Sequence, residues 1–253
     1  MNFIIIALLG TIIAALTASA IDAAELKFIH SIPIKTAVDE LVPAFEKNTA
    51  NKVSTSAGTS GAVAQRAQSE PFDVVVTISS QVAELEKQGA IAAGTKKDLA
   101  KVGLGVYVRK GAAKPDVSSV ENFKQALLKA KSFGYLDPAS GAAGGIYVAK
   151  LVERLGIADQ VKAKTMNSKN PADVFASVAS GQTDFGIGQL SEIVVDPRVE
   201  LAGMLPADIQ LTTLYAMGVS SKPNDAAAAK ALAAFLSDST SQAVFKKFGF
   251  EAP

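Results

Sequence analysis

Short strand-like runs alternate with helix-like segments along most of this 253-residue chain. Leu26–Ile29 reads as a first strand. A helical stripe follows it, with apolar residues at positions i, i+3, i+4 and i+7, occupied by Val38, Leu41, Val42 and Phe45. Alternation of this kind is typical of α/β proteins, in which helices cover a sheet that is largely parallel. The sequence therefore predicts the α/β class.

The same patterns predict the remaining elements of the chain. Further strands are predicted at Val53–Ser56, Phe72–Ile78, Leu104–Val108, Phe133–Leu136, Phe185–Gly188 and Leu211–Ser220. Further helices are predicted at Gly61–Ser69, Gln81–Gln88, Val120–Ala130, Gly145–Leu155, Pro171–Ala179, Ala226–Leu236 and Thr240–Phe248. Two such blocks fit one large doubly wound sheet, or two lobes joined by two crossing strands. Periodicity leaves both arrangements open.

The N-terminus has the pattern of a secretory signal peptide. Phe3 to Ile21 contains no charged residue, and Ala18-Ser19-Ala20 has the small-x-small form of a cleavage site. An uncleaved membrane anchor is the alternative, because the apolar run approaches the roughly 20 residues that span a bilayer. The small-residue content favours removal after Ala20 or Ala24, which predicts an exported mature chain.

Composition excludes several classes of function. The chain has no cysteine, so disulfides, thiolate metal sites and cysteine nucleophiles are excluded. A net charge of +1 without a basic cluster argues against binding to nucleic acid or to anionic lipid. One histidine and no calcium-type acidic loop give no support for a metal site, and no cofactor is expected.

Small-residue segments precede several of the predicted helices. They are Ser31-Ile32-Pro33, Gly58-Thr59-Ser60-Gly61 and the run from Ser140 to Gly145. The first N–H groups of a helix have no partner within it and carry a partial positive charge, so such a position attracts anions. A plain strand-to-helix turn explains the segment from Gly141 to Gly145 equally well, and an ordinary N-cap is the alternative for Gly58–Gly61. Together on an exported chain, they favour capture of a small anionic or polar solute.

A set of short motifs, in order along the mature chain, resembles the periplasmic molybdate-binding proteins. These belong to the type II solute-binding proteins of ABC importers. The motifs are Leu41 with Pro43-Ala44-Phe45-Glu46-Lys47, Ala57 to Ala64, Pro71 to Val76, Asp137-Pro138, Gly144 to Tyr147, Asp173-Val174, Phe185 to Gly188, Ala234 to Ser237 and Ser241 to Phe250. Each motif alone has low specificity, but their order and spacing together are moderately specific for this family.

The resemblance implies a two-lobe periplasmic-binding-protein fold of type II, with the ligand cleft between the lobes and two crossing hinge strands. It implies a signal peptide at residues 1–24, one lobe from residues 25–104 plus 218–253, and a second lobe from residues 105–217. The implied protein is a periplasmic monomer that hands a small anion to an ABC permease in the inner membrane. Molybdate or tungstate is the ligand class that the family suggests.

In that family the oxyanion is held by neutral hydroxyl and backbone N–H donors, several of them at helix starts. Carried over by position, the hydroxyl donor falls on Thr59 or Ser60, and the backbone donors fall near Gly144 and Val174. The residues themselves mark all of these positions as helix starts. The pattern and the resemblance therefore predict the same site.

This chain departs from the family's ligand pattern at two positions. Pro33 stands where the family has a serine ligand, and only a two-residue shift would let Ser31 replace it. Gln189 stands at the place of a tyrosine ligand, and its amide can still donate. A lost donor to a buried charge costs about 1–3 kcal/mol. A small organic carboxylate is therefore the alternative ligand.

A few ionisable residues are possible additions to this site. His30, the one histidine, follows the first strand and could donate to the ligand or titrate, although packing in the core is the commoner role. Lys35 could pair with a carboxylate ligand, or lie solvated on a helix. Glu192 and Asp137 could act as a general acid and base. The chain is expected not to be an enzyme, with an isomerase or lyase on the same scaffold as the alternative.

Overall fold

A computed structural model of the chain describes residues 23–253. The predicted signal peptide, residues 1–24, lies almost entirely outside the described residues, so its cleavage stays a prediction. Within residues 23–253, no helix combines the length and the apolar character needed to cross a membrane.

Nine strands and ten α-helices are found in the described part of the chain. The strands are β1 (Glu25–Ser31), β2 (Lys52–Gly58), β3 (Val74–Ile78), β4 (Lys97–Arg109), β5 (Phe133–Leu136), β6 (Thr165–Ser168), β7 (Phe185–Gln189), β8 (Val199–Met204) and β9 (Thr212–Val219). The helices are α1 (Lys35–Thr49), α2 (Ser60–Ser69), α3 (Ser79–Lys87), α4 (Val120–Lys129), α5 (Ala143–Arg154), α6 (Ala158–Val161), α7 (Pro171–Ser180), α8 (Leu190–Ile193), α9 (Ala226–Leu236) and α10 (Ser239–Lys247).

The strands follow one another in the order β2-β1-β3-β9-β4-β7-β5-β6, and β8 pairs with β4 beside this path. Strands β1, β2 and β3 are parallel, as are β5, β6 and β7. The long strand β4 connects the two groups: Lys97–Gly103 pairs with β9, and Leu104–Arg109 pairs with β7 and β8. The chain is therefore built as two α/β lobes, and the two-lobe prediction is confirmed.

Each lobe has its own hydrophobic core. In the first lobe, the predicted stripe of α1 is buried against β1, β3 and β9, with α9 and α10 completing the cluster. Full burial of one large apolar side chain of this stripe, such as Phe45, stabilises the fold by about 1.5–3 kcal/mol. In the second lobe, α4 and α5 cover β4, β5 and β7. Apolar faces of helices and strands thus contribute to both cores.

Strand pairing moves one of the predicted lobe boundaries. The outward crossing falls between Gly103 and Leu104, where β4 changes partners, close to the predicted residue 104. The return crossing precedes Thr212, because Thr212 already pairs with Gly103 in the first lobe. The division that assigned residues 105–217 to the second lobe therefore extends it too far. We propose lobes of residues 25–103 plus 212–253 and 104–211.

Candidate functional site

A cleft between the two lobes collects most of the predicted site residues. The volume that the centre of a water molecule can occupy in this cleft is about 40 Å³. One water needs roughly 10–15 Å³ by this measure, so the enclosed space suits a solute of few atoms. The wall consists of Ile32, Pro33, Thr59, Ser60, Leu104, Tyr107, Leu136, Ala142, Ala143, Gly144, Gly145, Pro171, Val174, Phe175, Ile187, Gly188, Gln189, Glu192 and Tyr215.

Three helices begin in this wall: α2 from the first lobe, and α5 and α7 from the second. At α5 the N-cap residue, Ala142, makes no side-chain cap, so the N–H groups of Ala143, Gly144 and Gly145 have no capping partner. Such groups carry the positive end of the helix dipole. Gly144 and Val174 both line the cleft, at the first turns of α5 and α7, which are the positions that the sequence predicts.

The start of α2 touches the opposite lobe directly. The Thr59 hydroxyl accepts from the Ala62 N–H at 3.3 Å as an N-cap, and it donates to the Ser140 carbonyl at 2.6 Å. The Gly61 N–H donates to the Gly141 carbonyl at 3.2 Å. These bonds join the two lobes beside the cleft, so the described arrangement is closed on this side.

Ser31 lies behind the wall and not in it. Its Oγ is 3.0 Å from Ser60 Oγ and donates to Thr77 Oγ1 at 3.2 Å. Ser31 is fully buried, whereas Ser60 lines the cleft. The expectation that Ser31 replaces the missing serine ligand is therefore corrected: its hydroxyl serves the network that holds Ser60. Pro33 does line the cleft, and it offers neither a hydroxyl nor an N–H.

His30 also lies outside the wall, which corrects its expected place beside the ligand. Successive strand residues point to opposite faces, and His30 shares the face of Phe28, whose ring centroid is 5.2 Å away. Its Nδ1 lies 3.2 Å from the Ser31 carbonyl oxygen. Burial lowers the pKa of His30 below its usual value. The residue is thus a neutral core side chain near neutral pH.

Gln189 is held in the wall by residues of the returning strand. The Tyr215 hydroxyl donates to Gln189 Oε1 at 3.0 Å, and Gln189 Nε2 donates to Thr213 Oγ1 at 3.4 Å. Because the second of these bonds is long, the Nε2 group can turn to a ligand at small cost. Burial raises the pKa of the Tyr215 hydroxyl, so it stays protonated as a donor.

Aromatic rings form a part of the wall that sequence reasoning missed. The Tyr107 ring stacks on Phe175 with centroids 4.4 Å apart and an interplanar angle of 9°. A Cβ at Gly186 would lie 2.2 Å from this tyrosine ring, so glycine is required there to make room for it. The signal was present in the sequence, because Tyr107 lies in the predicted strand Leu104–Val108 and faces the glycine-bearing strand Phe185–Gly188.

Glu192, in α8, carries a carboxyl group into the cleft and into a shallower outer groove that continues from it. No ion pair within 4.0 Å and no hydrogen bond of its carboxyl group is found among the described residues. Burial raises the pKa of Glu192 to about 7. Its neighbour Ser191 has a buried Oγ without a hydrogen-bond partner.

The other ionisable candidates have local roles. Lys35 pairs with Asp39 one turn later in α1, at 2.5 Å on an exposed surface. Asp137 accepts from the Ala139 N–H at 2.8 Å and caps a short turn. Within residues 23–253, no three histidine, aspartate or glutamate side chains are grouped to hold a metal ion.

Comparison with known proteins identifies the family. A family described as "bacterial extracellular solute-binding protein" matches residues 26–251 of this chain. The chain belongs to this family. The two-lobe α/β fold and the cleft between the lobes are what a solute-binding protein of this kind requires.

Individual relatives differ in what they are named for. An aconitate isomerase from a Pseudomonas species is 34% identical over 238 residues, 90% of this chain and 88% of that protein. The molybdate-binding protein ModA of Azotobacter vinelandii is 27% identical over 256 residues, 99% of each chain. The solved periplasmic molybdate-binding protein of Azotobacter vinelandii shares the fold, with a TM-score of 0.74 at 20% identity over 90% of this chain and 99% of that one. The resemblance to the molybdate-binding proteins is thereby confirmed.

Proposed function

We propose that this solute-binding protein captures a small anion in the inter-lobe cleft, in the periplasm, and delivers it to an ABC permease. The single observation that carries the proposal is the convergence of three helix N-termini on one closed cleft between lobes. Helix starts attract anions through the helix dipole, and the first N–H groups of α5 also have no capping partner. Ser60, Gly144, Val174 and Gln189 are the proposed donors. Thr59 lines the cleft, but its hydroxyl proton is already donated to the Ser140 carbonyl.

Of the two ligand classes open from the sequence, the wall favours a small organic carboxylate over molybdate. Pro33 removes one hydroxyl donor, while Leu136, Ile187 and Phe175 offer apolar surface. A tetrahedral oxyanion has no apolar part to place there, whereas the carbon skeleton of a carboxylate gains by burial.

Thermal-shift scans of the mature protein test this function. The panel contains molybdate, tungstate, sulfate, phosphate, fumarate, citrate and the two aconitate isomers. A ligand at a hundredfold excess over its Kd stabilises the folded state by about 2.7 kcal/mol, which raises Tm by several degrees. A shift with carboxylates and none with molybdate is expected. No shift with any of these anions would overturn the proposal.

Pro33→Ser separates the two ligand classes further, with Pro33→Ala as its matched control. Both variants remove the proline ring, but only Pro33→Ser restores the hydroxyl that the molybdate-binding family has at this place. We expect Pro33→Ser to gain molybdate binding by about tenfold relative to Pro33→Ala, as one added donor to a charge implies. If the unaltered protein bound molybdate as strongly as Pro33→Ser does, the ligand would be the oxyanion, against this proposal.

A second candidate function is isomerisation of a small unsaturated carboxylate such as aconitate. The observation that favours it is Glu192: a carboxyl whose pKa is raised to about 7 suits proton transfer at neutral pH. In such a reaction one carbon of the substrate gains a proton from the Glu192 carboxyl and another carbon returns a proton to it, so the composition is unchanged. The relative named aconitate isomerase supports testing this substrate.

Incubation with cis-aconitate, followed by proton NMR, tests the second candidate. Formation of trans-aconitate by the protein, lost in Glu192→Gln and kept in Glu153→Gln, would support it. Glu153 is the matched control because it is exposed on α5, away from the cleft. Binding of cis-aconitate without any interconversion would exclude the isomerase and leave the transport function in place.

A further inference from the structure

Glu192 contributes a carboxyl group to the cleft wall. Of the nineteen wall residues within the described chain, it is the one aspartate, glutamate, lysine, arginine or histidine. An anion in this cleft therefore meets no cationic side chain, and the one ionisable carboxyl beside it carries the same sign of charge. The donors that remain are hydroxyl, amide and backbone N–H groups.

The elements around Glu192 supply no counter-charge to compensate. β4 and β9 contribute Tyr107 and Tyr215, and burial raises the pKa of both hydroxyls, so they stay neutral. Two cations border the outer groove, and each is engaged elsewhere. Lys35 of α1 pairs with Asp39, and Arg198, in the segment after α8, pairs with Asp196 at 2.6 Å.

Two negative charges cannot share so small a space without strong repulsion. A proton on Glu192 removes the repulsion and turns an acceptor-only group into a donor for the bound anion. We propose that Glu192 is protonated whenever an anion occupies the cleft, so that binding takes up one proton from solution. This inference rests on the proposed capture of a small anion.

The energetics of the empty protein make this uptake accessible under ordinary conditions. Partial burial raises the pKa of Glu192 to about 7, so its carboxyl gains or loses a proton near neutral pH. A bound anion raises that pKa further. Affinity is then constant below about pH 7 and falls tenfold for each pH unit above it, until the pKa of the complex is reached.

Isothermal titration calorimetry with fumarate and with oxalate tests the coupling, at about pH 6 and pH 8. Both probes are fully ionised in this range, so the anions themselves take up no proton. Titration in buffers of different ionisation enthalpy gives the number of protons bound with each anion. We expect about one proton at pH 8 and close to none at pH 6, with a Kd about tenfold higher at pH 8.

Glu192→Gln keeps the shape and a donor but cannot titrate, so its Kd should be the same at both pH values, with no proton uptake. Glu153→Gln is the matched control and should behave as the unaltered protein does. Equal Kd values at pH 6 and pH 8 in the unaltered protein, without proton uptake, would overturn this inference and leave the proposed function standing. Binding of neither probe at pH 6 would overturn both. Because the number of protons bound with the anion is measured on the unaltered protein, it tests the coupling even if Glu192→Gln folds poorly.

Discussion

At the residue scale, the ionisation of Glu192 opposes folding. Burial raises the pKa of Glu192 from 4.5 to about 7, so the folded state favours the protonated form more than the unfolded state does. The stability from this group is fully present below about pH 4.5 and is lost as the pH rises through 7. Glu192→Gln should therefore raise the free energy of unfolding by about 2–3 kcal/mol at pH 8 and leave it nearly unchanged at pH 4.5.

Urea denaturation without any ligand, at both pH values, measures this difference. The exposed Glu153→Gln should show the same stability as the unaltered protein at each pH. A gain for Glu192→Gln of the same size at both pH values would contradict the prediction, because packing and not ionisation would then be its cause.

Asp73 is a buried carboxylate whose partners are two backbone N–H groups and the side-chain amide of Asn224. Its oxygens accept from the Lys27 N–H at 2.7 Å and from the Asn224 N–H at 2.5 Å, which ties β1 to the segment before α9. Asp73→Ala removes the acceptor of both N–H groups and should lower the free energy of unfolding by about 1–3 kcal/mol. Asp73→Asn retains one acceptor oxygen and should cost less than half of this. Thermal and urea unfolding of the two variants make the comparison, and equal losses would contradict it.

Sequence alone reached only part of the candidate site, and the reason lies in side-chain direction. Thr59, Ser60 and Gly144 are predictable, because small and hydroxyl residues before a helical stripe mark a helix start wherever the helix then lies. Ser31 and His30 are neighbours on one strand, and which of them faces the cleft depends on where α1 packs. Periodicity carries no information about that choice.

At the element scale, the apolar pattern predicted most of the strands, including the edge strand β2, and missed β6 and β8. β5 and α9 have the predicted bounds, because each is bounded by clear turn or cap residues. β6, with the sequence Thr-Met-Asn-Ser, lies at an edge of the sheet, and its polar composition gives no strand signal. The first half of β4 mixes lysine, aspartate and glycine with its apolar residues, so only its second half was predicted.

The contact between α5 and β5 explains why the glycine pair at the start of α5 is not interchangeable. A Cβ at Gly145 would lie 2.2 Å from the Leu136 carbonyl oxygen, a backbone atom that cannot turn away. A Cβ at Gly144 would meet only the end of the Leu104 side chain, at 3.3 Å. Gly145→Ala should therefore displace α5 and destabilise the fold by about 2 kcal/mol or more, although alanine favours helices.

Gly144→Ala is the matched control, with the same helix-propensity gain of about 1 kcal/mol and little steric cost. Thermal unfolding of the two variants without ligand is the measurement. A Tm for Gly145→Ala at or above that of Gly144→Ala would show that α5 can shift freely, against this account.

At the scale of the whole molecule, contacts between the lobes set the balance between open and closed forms. Hinge closure around a ligand shifts this balance only by the difference in affinity of the two forms. Besides the crossing strands, two hydrogen bonds at the start of α2 connect the lobes. Thr59 donates to the Ser140 carbonyl, and the Gly61 N–H donates to the Gly141 carbonyl. A variant that weakens them should bind its ligand more weakly without a change in the wall of the second lobe.

Thr59→Val tests this, because valine keeps the branched shape and removes the hydroxyl that donates to the Ser140 carbonyl at 2.6 Å. We expect the Kd for fumarate to rise about three- to tenfold, as the loss of one hydrogen bond of about 1 kcal/mol implies. Small-angle X-ray scattering should show a larger radius of gyration at fumarate concentrations near the original Kd. Thr59→Ser retains the hydroxyl and should bind as the unaltered protein does.

Thr59 also caps α2, so the loss of a cap has to be separated from the loss of the bond between the lobes. Ser119 caps α4 through the Asn122 N–H at 3.1 Å and lies outside the cleft wall. Ser119→Ala should lower the free energy of unfolding by about 1 kcal/mol, as Thr59→Val does, and leave the Kd unchanged. If both variants weakened fumarate binding equally, general destabilisation would explain the effect. If only Thr59→Val weakens it, the Thr59–Ser140 bond contributes to closure, and the hydroxyl at this helix start joins the lobes as well as lining the cleft.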